Sequence, residues 1–217
     1  MSRVRVHNFS VSIDGYGAGI NQGIDDPLGV RGEELHGWVF STACWHERSG
    51  EPGGSTGTDD AWLRAGDTGI GATVMGRNMF GPIRGPWDAD DEAASWRGWW
   101  GESPPYGHDV FVLTHHPRHP LPMSGGTTFH FVADGLPAAL EAARSAAHGA
   151  DIRLGGGVAT VREAVAAGLV DELHLAFAPV LLGAGERLFT GNWVADGYRV
   201  AESQQGEGAF HVRLLRA

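Results

Sequence analysis

Residues 152–175 read IRLGGGVATVREAVAAGLVDELHL, and the order of features in this stretch decides the architecture. A short strand, Asp151–Leu154, runs into Gly155, Gly156 and Gly157. A helix follows to about Ala167, and Gly168 stops it as a C-terminal glycine does. A long strand is expected over Asp171–Leu182. Strand, helix and strand in so short a space make a parallel crossover, the unit of a layered α/β fold.

The pattern extends in both directions. Ile70–Met75, Asp109–Thr114 and Thr127–Val132 read as strands, and Leu136–Ala147 as an Ala-rich helix with Asp134 near its start. Residues 3–13 alternate as a first strand that ends at the turn signal Asp14-Gly15. Segments at about 197–204 and 209–216 form a hairpin around Gln205-Gly206-Glu207-Gly208. Residues 15–30 are expected to be a Gly-rich loop. From Arg31 to Trp45, the residues Leu35, Trp38, Val39 and Thr42 share one helical face. Residues 49–58 are a loop, and Asp59 to about Ala65 a short helix with Thr58 as N-cap. Residues 81–108 carry Trp87, Trp96, Trp99 and Trp100 in an irregular excursion with one short helix. HHPRHPLP, residues 115–122, is too Pro-rich for regular structure. The expectation is one α/β domain over residues 1–217. Its central sheet is mixed and mostly parallel, flanked by helices, with an antiparallel hairpin at the C-terminus.

Composition narrows the chemistry. The chain has 217 residues with a formal charge of −10, and all 16 of its Lys plus Arg residues are Arg. Without lysine there is no Schiff-base chemistry and no Walker P-loop. A single cysteine, Cys44, excludes an internal disulfide and any CxxC zinc or redox motif, and points to a reducing, cytoplasmic setting. The negative balance disfavours nucleic acid and anionic membranes as partners. No apolar run is long enough to span a bilayer, and the N-terminus lacks a signal-peptide core.

Three strand ends carry anion-friendly residues. The glycine triplet lets backbone approach an anion at a helix N-terminus, the natural place for a pyrophosphate, although a tight strand-to-helix turn explains it equally well. Gly155-x-Gly157-x-x-Thr160 only approximates the Rossmann fingerprint. Asp171 precedes its strand, and too little chain follows for a second half. Thr73-Val74-Met75-Gly76-Arg77-Asn78 adds a guanidinium able to fork onto a phosphate; otherwise Arg77 is an ordinary surface residue. Leu113-Thr114-His115-His116 ends the next strand with a hydroxyl and imidazoles, or is simply a solvated loop. In a parallel sheet these ends share the edge where α/β ligands bind. Asp14 is a candidate acid or orienting group, against a turn Asp bonded to its own backbone.

Other matches carry less. Gly53-Gly54-Ser55-Thr56-Gly57 fits G-x-S-x-G but lacks the preceding strand. His115, His116 and His119 lie among prolines with no carboxylate cluster. Cys44 is expected to be a buried helix residue, and the four clustered Trp to serve core and interface before pocket.

The ordered set VMGRNMF, VFVLTHHP, IRLGGGVATVREAVAAGLVDELHL and FAPVLLGAGERLF, with SVSIDGYGAG at the start, resembles the dihydrofolate-reductase-like family. It is closest to the branch containing the reductase domain of the bifunctional riboflavin-biosynthesis deaminase/reductase, and covers about residues 3–19 and 70–217. With one cysteine, the deaminase zinc signature H-x-E…P-C-x-x-C has no counterpart.

The resemblance implies NADPH as hydride donor to a small-molecule substrate, a heterocycle or a carbonyl/imine compound. 5-Amino-6-(5-phosphoribosylamino)uracil reductase and dihydrofolate reductase are the models. It assigns Gly76, Arg77 and Asn78 to the 2′-phosphate and pyrophosphate, and Thr114 and His115 to the adenosine end. Gly155, Gly156, Gly157, Val158 and Ala159 wrap the pyrophosphate, with Thr160 beside it. Ser12, Asp14 and Gly15 fall near nicotinamide and substrate, and Leu182 and Gly183 near the substrate pocket. Glu33 and Glu34 lie on the first helix, where dihydrofolate reductases anchor a pterin. A homodimer is also implied. The competing reading is a module that binds NADP(H) without turnover.

Overall fold

The computed structural model describes residues 2–190 and 197–217. Its strands are β1 (Val4–Ser12), β2 (Tyr16–Ala18), β3 (Ile70–Gly76), β4 (Asp109–Leu113), β5 (Leu121–Pro122), β6 (Thr128–Val132), β7 (Asp151–Leu154), β8 (Glu172–Ala178), β9 (Glu186–Arg187), β10 (Tyr198–Gln205) and β11 (Phe210–Arg216). Its helices are α1 (Gly37–Phe40), α2 (Ala43–Ser49), α3 (Thr58–Asp67), α4 (Arg77–Phe80), α5 (Asp91–Ser95), α6 (Gly135–Ala146) and α7 (Val158–Ala166). Met1–Val4 with Gly69–Ala164 form one compact unit, and Arg5–Thr68 with Val165–Ala217 another.

In the first unit the strands lie in the order β7-β3-β4-β6-β5. β7, β3, β4 and β6 are parallel, and only the short β5 runs antiparallel. Parallel strands need a covering layer. Helix α6 packs on β3 and β4 and supplies part of it, because Leu136, Ala139, Leu140 and Ala143 recur at helical spacing and are all buried. A separate apolar cluster joins Met75, Phe80, Val110, Val112 and Phe129 to Trp87, with Trp96 and Trp100 packed against it. The Trp-rich excursion is thus a lining of this core, with α5 as its one helix, as its composition suggested.

In the second unit β1 runs parallel to β8, β11 antiparallel to β8, and β10 antiparallel to β11. The expected C-terminal hairpin is present. Trp38, Val39, Cys44 and Leu63 pack with Ala176 of β8 and Ala209. A bulge interrupts β1 between Val6 and Phe9, where Asn8 takes φ 58°.

Several local expectations need correction. The helix expected from Arg31 to Trp45 is broken into a 3-10 turn, Gly32–His36, then α1 and α2. Leu35, Trp38, Val39 and Thr42 are nonetheless all buried, so the face was right. The break sits at Thr42, which is extended and caps α2 by accepting from the Trp45 amide. Ser55 bridges the gap through main-chain bonds with Ser41 and Ala43. The strand expected to reach Leu182 ends at Ala178, where the Val180 amide turns back onto the Ala178 carbonyl. Thr58 is not an N-cap: α3 starts at Thr58, and its cap is Gly57. Short strands β2 and β5 occur where loop was expected, at residues 16–18 and 121–122.

Candidate active site

The parallel register of the first unit sets the ends of β3, β4, β6 and β7 along one edge. A cleft of about 470 Å³ opens there. Gly76 lines it from the end of β3, Arg77 and Asn78 from the start of α4, Thr114 and His115 from beyond β4, and Thr160 from α7. The ends of β3 and β4 singled out in the sequence thus meet on the cleft wall; of the third, only Thr160 lines it, while Gly155, Gly156, Gly157, Val158 and Ala159 lie off the wall and the triplet is bonded to the end of β3.

Close packing explains the glycines. The Gly76 amide donates to the Gly156 carbonyl at 2.6 Å, and the Gly155 amide to the Val74 carbonyl at 2.9 Å. A Cβ on Gly76 would lie 2.4 Å from Thr160 Oγ1, and one on Gly155 would lie 3.0 Å from Met79 Sδ. Gly157 has nothing within 4 Å of its Cβ direction, so its surface faces open space. Val158 is buried and Ala159 exposed at the start of α7.

Arg77 is the chemical centre of the cleft. Its Nη1 donates to Thr114 Oγ1 at 3.2 Å, and its guanidinium lies 3.8 Å over the Trp87 ring. Its Nε and Nη2 are buried without hydrogen-bond partners. Burial first, then repulsion from Arg84 and Arg118, lowers its pKa from the ordinary arginine value. A planar cation with two vacant donors suits a phosphate oxygen pair. The same two orphaned donors at the cleft fit the phosphate of a phosphorylated dinucleotide. Thr114 is buried at the same point: its amide donates to Val132, and its Oγ1 accepts from the His116 amide at 3.0 Å. His115 and Asn78 are exposed at the rim.

Two contributors escaped the sequence reading. The turn after β6 brings Ala133, Gly135 and the start of α6 to the cleft, and the excursion brings Arg84 and Gly85. Ala133-Asp134-Gly135 is a turn signal after a strand, so the first was findable. Arg84 sits in a segment without periodicity and gave no signal.

The substrate-end residues lie in the second unit. Ser12 is fully buried at the end of β1 and its Oγ accepts from the Tyr16 amide. Gly15 takes φ 87°, the left-handed conformation that the turn requires. The Asp14 carboxylate accepts from the Leu182 amide at 3.1 Å and the Gly183 amide at 2.7 Å. The Ser12 hydroxyl first, with those two amides, holds its pKa down at about 2. Asp14, Ser12, Gly15, Leu182 and Gly183 are thus brought together. Glu34 instead pairs with exposed Arg31. Among the described residues no cluster of His, Cys, Asp and Glu is arranged to hold a metal, and no helix is long and apolar enough to cross a membrane.

A family model described as the RibD C-terminal domain matches residues 6–208. The chain belongs to the RibD C-terminal domain family. As a RibD C-terminal domain it is an NADPH-dependent oxidoreductase. No curated protein matches the sequence. Among solved structures, a putative riboflavin biosynthesis protein from Shewanella sp. PV-4 is 20% identical with a TM-score of 0.61, covering 100% of this chain and 99% of the other. RibD from Acinetobacter baumannii is 16% identical with a TM-score of 0.54, covering 100% of this chain but 58% of the other. A pyrimidine reductase-like protein from Corynebacterium diphtheriae is 16% identical with a TM-score of 0.51, covering 99% and 90%. At such identities these likenesses speak for the fold, and all three share it with this RibD C-terminal domain.

Proposed function

We propose that the chain passes a hydride from NADPH to a small heterocyclic or carbonyl/imine substrate. The carrying observation is Arg77: a guanidinium with two buried vacant donors at a glycine-lined strand edge. Bound there, NADPH supplies the hydride from its nicotinamide ring. Arg77 and Thr114 hold the 2′-phosphate, with Gly76, Asn78 and His115 bordering the adenosine end. Gly155, Gly156, Gly157, Val158 and Ala159 offer main chain to the pyrophosphate, with Thr160 beside them. Ser12, Asp14, Gly15, Leu182 and Gly183 serve the substrate end. Asp14 is ionised at neutral pH, so it orients groups by accepting hydrogen bonds, and water supplies the proton.

The substrate is argued as a class, in keeping with the riboflavin-type reductases the family is named for. The setting proposed is cytoplasmic, as one domain and as a homodimer; a sedimentation mass of a single 23.0 kDa chain would remove the dimer.

The function is tested by ligand binding and turnover. NADPH should raise Tm more than NADH does, and Arg77→Ala should cost about tenfold or more in NADPH affinity with little change for NADH. Equal losses for both nucleotides would remove the assigned role. Selective binding without nicotinamide oxidation across a panel of heterocycles would favour the non-catalytic NADP(H) module.

A further inference from the structure

Two guanidiniums, Arg77 and Arg84, line the cleft, and a third, Arg118, lies over the same Trp87 ring that Arg77 stacks on, in a chain whose formal charge is −10. Arg77 feels both Arg84 and Arg118 as like charges. Among the described residues none of the three has a carboxylate within 4.0 Å: the other ion pairs of the protein pass them by. Arg118 is committed to the Trp96 and Ala94 carbonyls, and Arg84 lends one Nη1 to the Gly81 and Ile83 carbonyls. Glu163 is the sole acid on the cleft wall among the described residues, and it is exposed.

Uncompensated repulsion of this kind is unfavourable unless an anion answers it, and Coulomb attraction at a part-buried site far exceeds that in water. Something must also keep the Arg77 guanidinium from swinging out to solvent. Trp87 does this. Its ring lies under the guanidinium, it is itself only 7% exposed, and its Nε1 is tied to the His116 carbonyl at 2.5 Å. That carbonyl also accepts from the Thr114 hydroxyl, at 3.3 Å. Trp87 therefore fixes the plane of Arg77 and is braced on the same loop that supplies the second phosphate contact.

We infer that the 81–108 excursion is a cofactor-specificity element: Trp87 is a positioning residue for Arg77, and Arg84 is a second cation for the dianion that Arg77 binds. The inference rests on the NADPH reading above and deepens it. The ligand chemistry is a phosphate monoester on a ribose. An inorganic phosphate could satisfy the same charges, so the test separates the two.

Binding of NADPH, NADH, 2′,5′-ADP, 5′-ADP and inorganic phosphate is measured by calorimetry on the wild type and on Arg84→Gln, Trp87→Leu and Trp87→Phe. Arg84 is exposed, so Arg84→Gln is expected to fold, and its NADPH-to-NADH affinity ratio should fall about tenfold with NADH unchanged. Trp87→Leu should lower the ratio similarly, and Trp87→Phe, which keeps a ring under the guanidinium, should restore most of it. A ratio unmoved in folded Arg84→Gln and Trp87→Leu overturns the inference while leaving the donor reading intact. Wild type that binds 2′,5′-ADP but not NADPH removes the donor reading and keeps the clamp. Inorganic phosphate as tight as 2′,5′-ADP, or no binding of either, overturns the ribose-phosphate assignment.

Discussion

The Asp14 carboxylate accepts from two main-chain amides, and Ser12 lies beside it at the end of β1. An acid held at about 2 is a poor proton donor at neutral pH, because almost none of it is protonated there. The kcat profile should accordingly show no limb from Asp14 between about pH 4 and 9. Asp14→Asn puts an NH2 where an amide N–H already points, which loosens the Leu182-Gly183 segment. The expected result is a fall of about tenfold in kcat/KM for substrate with NADPH affinity unchanged. An acidic limb near neutrality that disappears in Asp14→Asn would restore a general-acid role. The turn signal Asp-Gly was plain in the sequence; the partners were not, because they lie far along the chain.

Helix α3 shows the same difficulty one scale up. Its first free amides, Thr58 and Asp59, donate to the two carboxylate oxygens of Glu207, each at 3.0 Å. These bonds, Asp59 first, keep the Glu207 carboxyl below its usual range. Gly57 is glycine for this reason: a Cβ there would lie 2.0 Å from Glu207 Oε1. Glu207→Ala should lower Tm by about 2–4 °C, and Gly57→Ala should do the same without adding to it, since both remove one cap. Additive losses in the double variant would show that the two act separately. Local rules named Thr58 because a hydroxyl near a helix start is the usual cap; a carboxylate from the distant hairpin turn has no local signature. The parallel strands β3, β4, β6 and β7 were legible because buried apolar runs and the glycine triplet are local. The single helix expected over residues 31–45 fragmented because the Thr42 hydroxyl bonds the Val39 carbonyl and the Trp45 amide and Ser55 fills the gap, a tertiary effect on a correctly read face. Likewise the three anion-friendly strand ends were readable, whereas Arg84 and Trp87 depend on how an aperiodic segment folds back.

Across the molecule, the buried imidazoles decide how stability responds to mild acid. The Asn8 amide donates to His174 Nδ1 at 3.0 Å, so the His174 proton sits on Nε2 and points to His211 Nδ1, also at 3.0 Å. The His211 proton is then on Nε2, 2.7 Å from Asp59 Oδ1. Each donor in this chain meets an acceptor, and a second proton on His174 would face an amide N–H. His174 stacks on Trp62 and is fully buried. Burial first, then the neighbouring His7, His211 and Arg213, depresses its pKa to about 2. Burial likewise brings His36 down to about 4, against a weaker opposing bond with Gly32. Both folded values lie below the unfolded value of 6.5, so the unfolded chain gains protons first. Stability is therefore whole above about pH 6.5 and is lost as pH falls from there, at about 1.4 kcal/mol per pH unit for each group. The paired carboxylates Asp60, Glu34, Glu47 and Glu207 act in the same direction, but only below their unfolded values of 3.8 to 4.5. Between pH 6.5 and 5 the histidines act alone among these groups. Denaturant midpoints should drop steadily over that interval, and His174→Gln, which can accept from Asn8 and donate to His211 without titrating, should flatten the slope by roughly a third to a half, with His36 and the half-buried His108, whose pKa burial also lowers, keeping the rest. A slope unchanged in a folded His174→Gln protein would mean that His174 takes up its proton at the same pH in the folded and unfolded chains, and that burial does not hold it neutral.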